Sequence, residues 1–114
     1  MGRMEKRFTS FAEFWPYYVA EHRNATNRTL HFCGTTLVLL CLAAALGTGR
    51  PALFGLMPVA GYGFAWAGHF FFEKNRPATF RHPFYSLIAD FVMYARMWAG
   101  RMDAEVRAVA RSHG

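Results

Sequence analysis

Two consecutive runs without a charged residue constrain the fold of this chain more than any other feature. The first covers residues 29–49, the second covers residues 51–72, and Arg50 alone separates them. A helix needs about 20 apolar residues to cross the hydrocarbon core of a bilayer, and both runs reach that length. A chain of 114 residues has little other protein with which to bury two such helices. We therefore predict two membrane-spanning helices, with a pair of buried core helices in a soluble protein as the weaker alternative.

The residues at the ends of the two runs predict how the spans are connected and oriented. Gly49 and Pro51 surround Arg50 in a short, helix-breaking connection, which makes the spans antiparallel neighbours. Most basic residues near the runs lie at the opposite, outer ends of the pair, namely Arg3, Lys6, Arg7, Arg23, Arg28, Lys74, Arg76 and Arg81. Because cytoplasmic flanks of spans are enriched in Lys and Arg, we predict an integral membrane protein with both termini in the cytoplasm.

Amphipathic segments flank the spans and are predicted to form interfacial helices over about residues 10–22 and 83–100. Ser10 and Glu13 have the spacing of a capping box at the start of the first segment. Apolar side chains recur at helical spacing in the second segment, at Phe84, Leu87, Ile88, Phe91, Tyr94 and Trp98. Asp90 interrupts this apolar pattern, which favours a helix lying on the membrane surface and leaves a third span as the alternative.

The whole chain is therefore predicted to be all-α, a single membrane domain over residues 1–114 built on a helical hairpin. The charged tail from Arg101 onward is expected to be a frayed helix. Basic residues outnumber acidic ones by 13 to 7, but they flank apolar runs, which favours membrane lipid as a partner and argues against nucleic acid. Gly61, Gly63 and Gly68 permit close helix packing, so a homodimer is one of the alternatives.

Four of the five histidines lie near the predicted cytoplasmic ends of the spans. His22 and His31 surround the start of the first span, and His69 and His82 surround the end of the second. Ionisable groups at this depth are costly and are usually functional. Because imidazole binds Fe, Zn, Cu and Ni, four converging histidines predict a metal site without naming its metal. For any single histidine, a hydrogen-bonded interfacial residue is the alternative interpretation.

Further polar residues near the histidines have several candidate roles. Glu73 lies four residues after His69 and is favoured as its hydrogen-bonding partner, with metal ligation and a surface ion pair as alternatives. Asn27 lies on the same helix face as His31. Asp90 is a candidate ligand, a candidate partner that orients a histidine, or one half of an ion pair with an arginine.

Three ordered segments of the chain form a specific combination of motifs. They are Tyr18-x3-His22-x4-Asn27-Arg28-x2-His31-x2-Gly34, then Trp66-Ala67-Gly68-His69-Phe70-Phe71-Phe72-Glu73-Lys74-Asn75-Arg76-Pro77-Ala78, then His82-Pro83 through Asp90. Together they resemble the Mpo-like membrane dioxygenase family, long known only as a domain of unknown function. The resemblance extends from about Phe11 to Met97.

This resemblance implies an iron(II)-dependent dioxygenase that performs α-oxidation of 2-hydroxy fatty acids, shortening them by one carbon with dioxygen. It implies that His22, His31, His69 and His82 are candidate iron ligands. Such a site departs from the common triad of two histidines and one carboxylate, unless Glu73 or Asp90 replaces a histidine.

The same hypothesis predicts which residues of the chain contact the substrate. Arg28 or Arg76 is expected to neutralise the carboxylate of the acid, although most interfacial arginines simply meet lipid phosphate. The alkyl chain is expected to lie between the spans, against Phe70, Phe71 and Phe72. The alternatives are a non-catalytic hairpin that binds lipid or a partner protein, and another metal-dependent lipid hydroxylase or hydrolase.

Overall fold

The computed structural model describes residues 8–77 and 80–113, and within these residues the regular structure is helical, as predicted. The elements in chain order are α1 (Phe11–Ala20), α2 (Ala25–Thr48), α3 (Ala52–Ala67), a π-helical segment (Gly68–Glu73), α4 (Pro83–Trp98) and α5 (Met102–His113).

Helices α2 and α3 form an antiparallel pair that coincides with the two uncharged runs. The Asn24 side chain caps α2 by accepting a hydrogen bond from the Asn27 amide, and Gly49 ends α2 in a left-handed conformation with φ 71°. The two helices approach closely at Gly34, where a Cβ atom would lie 2.9 Å from Cβ of Phe64. The predicted hairpin of packed helices is therefore present in the structure.

The prediction of two membrane spans is supported for one helix. Among the described residues, α2, with 24 residues, is the helix that is long and apolar enough to cross a membrane. The second predicted span corresponds to α3 and most of the π-helical segment, and α3 itself has 16 residues because the regular α-helix stops at Ala67. The α4 helix also has 16 residues and does not reach spanning length, so the third-span alternative gains no support.

The hairpin turns much of its apolar surface outward. Leu40 and Leu46 on α2 are 60% and 71% exposed, and Val59 on α3 is 67% exposed. Large exposed apolar patches on a protein mark contact with another apolar medium or partner. The exposed apolar surface of the hairpin is therefore a candidate contact surface for an apolar medium or partner.

The remaining helices pack together beside the hairpin around an apolar core. Phe14, Tyr18 and Val19 from α1 meet Ala89 and Met93 from α4 and Met102 and Val109 from α5. At the start of α1 the Ser10 hydroxyl accepts a hydrogen bond from the Glu13 amide, which confirms the predicted cap. The Glu13 carboxylate accepts from the Thr9 amide, one residue earlier than a standard capping box requires.

The C-terminal tail differs from the expected frayed helix. It forms α5, whose Met102 and Val109 are buried in the core and whose Glu105 accepts a hydrogen bond from the Trp15 indole at 3.1 Å. Because α5 contributes both apolar burial and polar contacts, it is an integral part of the packed structure.

Candidate metal centre

Three of the predicted histidines come together where the hairpin meets α1. His22 lies in the turn after α1, His31 lies in the second turn of α2, and His69 lies in the π-helical segment. All three side chains are buried, and one ligand nitrogen from each lies within 4.8 Å of the other two. The closest pair is His22 Nε2 and His69 Nε2, at 3.0 Å.

Hydrogen bonds fix the outward-facing nitrogen of two of these rings. Nδ1 of His22 lies 2.6 Å from the carbonyl oxygen of Tyr18, which can only accept, so Nδ1 carries the proton. Nδ1 of His69 lies 2.6 Å from Oδ1 of Asn75, whose amide nitrogen donates to the Glu21 carbonyl oxygen and so keeps the oxygen turned toward His69. Both rings therefore present an unprotonated Nε2 to the interior, the form that ligates metals.

The third ring lies near a carboxyl group. His31 Nδ1 lies 3.7 Å from Oδ1 of Asp90, and the Tyr18 hydroxyl donates a hydrogen bond to the same oxygen. Burial raises the pKa of Asp90 to about 7, while the hydrogen bond from Tyr18 opposes that rise. Asp90 therefore lies within electrostatic range of His31, and its role in orienting that ring stays a prediction.

The donor set fits a bound metal ion. Two nitrogens bound side by side to one metal at about 2.1 Å would be about 3 Å apart, and the two facing Nε2 atoms of His22 and His69 have this separation. His31 Nε2 is buried and has no hydrogen-bond partner. Burial, reinforced by His31 and His69, lowers the pKa of His22 well below its ordinary value and keeps the ring neutral, as ligation requires.

A small cavity of about 10 Å³ adjoins the three rings. Ser86 and Asp90 of α4 and Ala65 of α3 contribute to its wall, together with Tyr18 from α1. The Ser86 hydroxyl is buried without a hydrogen-bond partner. A buried polar group left unsatisfied costs about 1–3 kcal/mol, so its retention in the wall is typical of a functional position.

The structure does not bring His82 into this group. His82 caps α4 immediately before Pro83, and its ring packs against Phe8, Phe14 and Tyr17 with centroids 5.1, 5.5 and 5.9 Å away. The predicted convergence of four histidines is therefore corrected to three, because the ring of His82 lies among these aromatic rings and outside the group of mutually close histidines.

Glu73 and Asn27 take part in a cap at the start of α2. The Glu73 carboxylate accepts hydrogen bonds from the Arg23 and Asn24 amides and from the Asn27 side chain at 2.9 Å. A negative charge is stabilised at a helix N-terminus by the exposed amides there. The residue that forms a hydrogen bond with His69 is Asn75, not the predicted Glu73. Asn75 lies two residues after Glu73 and had not been predicted as a partner of His69.

The two arginines predicted to bind the substrate carboxylate lie in different environments. Arg28 is buried, donates to the His22 and Arg23 carbonyl oxygens at 2.8 Å, and pairs with Asp103 of α5 at 3.0 Å. Its guanidinium thus fixes the turn that carries His22 against α5. Arg76 has an exposed side chain.

The three consecutive phenylalanines do not line the space between the helices. Phe70, Phe71 and Phe72 are all exposed on the outside of the π-helical segment. This corrects their predicted position, because the wider π-helical turn changes which positions of the segment face α2.

We expect replacement of Asn75 by alanine to weaken metal binding by about 10–100-fold, the usual effect of losing a hydrogen bond that orients a ligand. The Asn75→Asp variant keeps an oxygen beside His69 Nδ1 and should retain most of the affinity. Competition with a fluorescent chelator, using detergent-purified protein, measures both. Equal losses in the two variants would assign the effect to the amide's bonds with Glu21 instead.

The chain is similar to a known protein family. A family model described as 2-hydroxy-palmitic acid dioxygenase Mpo1-like matches residues 8–102, which contain all three clustered histidines. No curated protein and no solved structure matches the chain.

Proposed function

The chain belongs to the Mpo1-like family of 2-hydroxy-palmitic acid dioxygenases, and we propose that it is a membrane-bound, iron(II)-dependent dioxygenase of 2-hydroxy fatty acids. The observation that carries the proposal is the inward-facing trio of His22, His31 and His69. The membrane component rests on the length and apolar character of α2 and on the exposed apolar surface of the hairpin. We further propose that α3 with the π-helical segment forms a second span, with both termini cytoplasmic.

The reaction needs a metal with redox chemistry. Iron(II) bound to the three imidazoles supplies the means to activate dioxygen, which zinc lacks. The hydrogen bonds from His22 to Tyr18 and from His69 to Asn75 hold the donor atoms in place before any ligand arrives. Such preorganisation lowers the cost of reaching the reactive geometry.

The polar and apolar parts of the proposed substrate would each lie against side chains of the same polarity. Its carboxyl and hydroxyl groups would lie at the small cavity, beside the unpartnered Ser86 hydroxyl and Asp90, while its alkyl chain would remain among apolar side chains. The exposed Arg76 remains the candidate partner for the carboxylate, since Arg28 is already engaged by protein groups.

The proposed reaction uses dioxygen as its oxidant and needs no external reductant. Cleavage of the C1–C2 bond of a 2-hydroxy acid by one dioxygen gives the acid one carbon shorter, carbon dioxide and water. In this balance the substrate gives up four electrons and dioxygen takes them up. Buried side chains around the histidines limit the access of bulk water to the reacting groups.

The test combines metal analysis with an assay of chain shortening. Protein purified in detergent and reconstituted anaerobically with iron(II) should contain close to one iron per chain. It should convert 2-hydroxypalmitic acid to pentadecanoic acid only when dioxygen is admitted, as followed by mass spectrometry. Equal turnover with zinc, or without dioxygen, would contradict a dioxygenase, because this four-electron oxidation would then have to use another oxidant. Failure to bind any metal would leave a non-catalytic lipid- or partner-binding hairpin.

A further inference from the structure

An apolar groove of about 360 Å³ lies between α2, α3 and α4. Val38 of α2, Met57 and Gly61 of α3, and Leu87 and Phe91 of α4 contribute to its walls. Its volume is in the range of small-ligand sites, and its lining is mostly apolar. A Cβ atom on Gly61 would lie 3.2 Å from Cγ2 of Val38, so the glycine allows α3 to pack closely against α2 along the groove.

Asp90 connects this groove to the metal centre. Its side chain lines both the groove and the small cavity formed by His22, His31 and His69. One end of the groove is therefore separated from the histidine cavity by the side chain of Asp90 alone. The groove thus has a polar end near the histidines and an otherwise apolar lining, which is the polarity of an amphiphile.

A second apolar groove on the other side of the hairpin provides a comparison. It has a volume of about 500 Å³ and is lined by side chains including Leu37, Leu56 and Val59. Among the described residues, its lining shares none with the histidine cavity. The two grooves are alike in chemistry, and their connection to the metal centre distinguishes them.

We propose that the groove between α2, α3 and α4 holds the alkyl chain of the 2-hydroxy acid, and that Leu87 and Phe91 determine the chain length accepted. This proposal rests on the proposed function, because the groove is defined by its route to the histidines. Leu87 and Phe91 are four residues apart on α4, about one helical turn, so both side chains face the groove. Both side chains are also partly exposed, which opens the groove to lipid.

The test compares two leucines with equal exposure in different grooves. Leu87 is 49% exposed and Leu56 is 50% exposed. Leu87→Trp should lower kcat/KM for 2-hydroxypalmitic acid by at least tenfold relative to 2-hydroxyoctanoic acid, because the indole shortens the groove. Leu56→Trp should keep the wild-type ratio. An equal change in both variants, or no change in either, overturns the assignment, provided both variants keep the wild-type thermal unfolding temperature and metal content.

A binding measurement separates this proposal from the proposed function. Metal-free wild-type protein is irradiated with a 2-hydroxy fatty acid carrying a diazirine near its methyl end, and labelled peptides are identified by mass spectrometry. We expect label on residues 57–62 and 87–91, displaced by 2-hydroxypalmitic acid. Label confined to the second groove overturns the assignment. If this labelling is seen but wild-type holoprotein shortens no 2-hydroxy acid, the groove is supported and the proposed reaction is wrong.

Discussion

Replacing His31 or His69 by alanine will abolish stoichiometric metal binding and reduce turnover by at least about a thousandfold, whereas His82→Ala will keep its metal. Metal binding should be lost because each of the clustered rings supplies one of three mutually close nitrogens. It should be kept in His82→Ala because the ring of His82 packs among the rings of Phe8, Phe14 and Tyr17. A site left with two ligands loses both affinity and the fixed orientation of its open positions.

Metal content and thermal unfolding of the purified variants measure this effect. A ligand that binds only the folded state at 100 times its Kd stabilises it by about 2.7 kcal/mol, so added iron(II) should raise Tm of wild type and His82→Ala. It should leave Tm of the His31 and His69 variants unchanged. Loss of metal from His82→Ala as complete as from His69→Ala would contradict the three-histidine centre.

Gly68→Ala is expected to destabilise the fold by about 3 kcal/mol, through overpacking and the loss of a buried hydrogen bond. A Cβ atom there would lie well inside van der Waals contact of Oδ1 of Asn27 and 3.0 Å from its Cγ. Asn27 is fully buried and donates to Glu73 at 2.9 Å, so it cannot move aside without breaking the cap of α2. Because His69 is the next residue, metal binding should fall as well.

Gly63→Ala is the matched control, since beyond its chain neighbours and the backbone of its own helix no atom lies within 4 Å of a Cβ at that position. In a helix interior this change should be neutral or stabilising by up to about 1 kcal/mol. Thermal unfolding in detergent compares the two variants. Similar Tm values for Gly68→Ala and Gly63→Ala would show that Asn27 has room to adjust and that the contact is not a constraint.

The sequence predicted those features that depend on the order of residue types along the chain. The uncharged runs located the hairpin, and the apolar spacing from Phe84 onward located α4, because both patterns extend over several helical turns. The nearness of His31 and His69 followed from antiparallel packing of the two runs. Their burial and mutual distance confirm that part of the interpretation geometrically.

Other features depend on local backbone geometry that a residue pattern does not encode. The π-helical segment and the left-handed Lys74 (φ 64°) bring Asn75 beside His69, whereas the four-residue spacing of a regular helix had favoured Glu73 as the partner of His69. The burial of Arg28 depends on α5, through its pairing with Asp103. Met102, Val106 and Val109 do carry helical apolar spacing, a signal of α5 packing that the charge of the tail obscured.

The position of His22 outside the hairpin has a consequence for assembly of the protein. His31 belongs to α2 and His69 to the π-helical segment, both in the hairpin, whereas His22 belongs to the turn that follows α1. An ion held by all three is thus a cross-link between two layers of the molecule. Binding of an ion by these three rings would therefore stabilise the packing of the outer helices against the hairpin, because metal binding to residues from separate segments is coupled to folding.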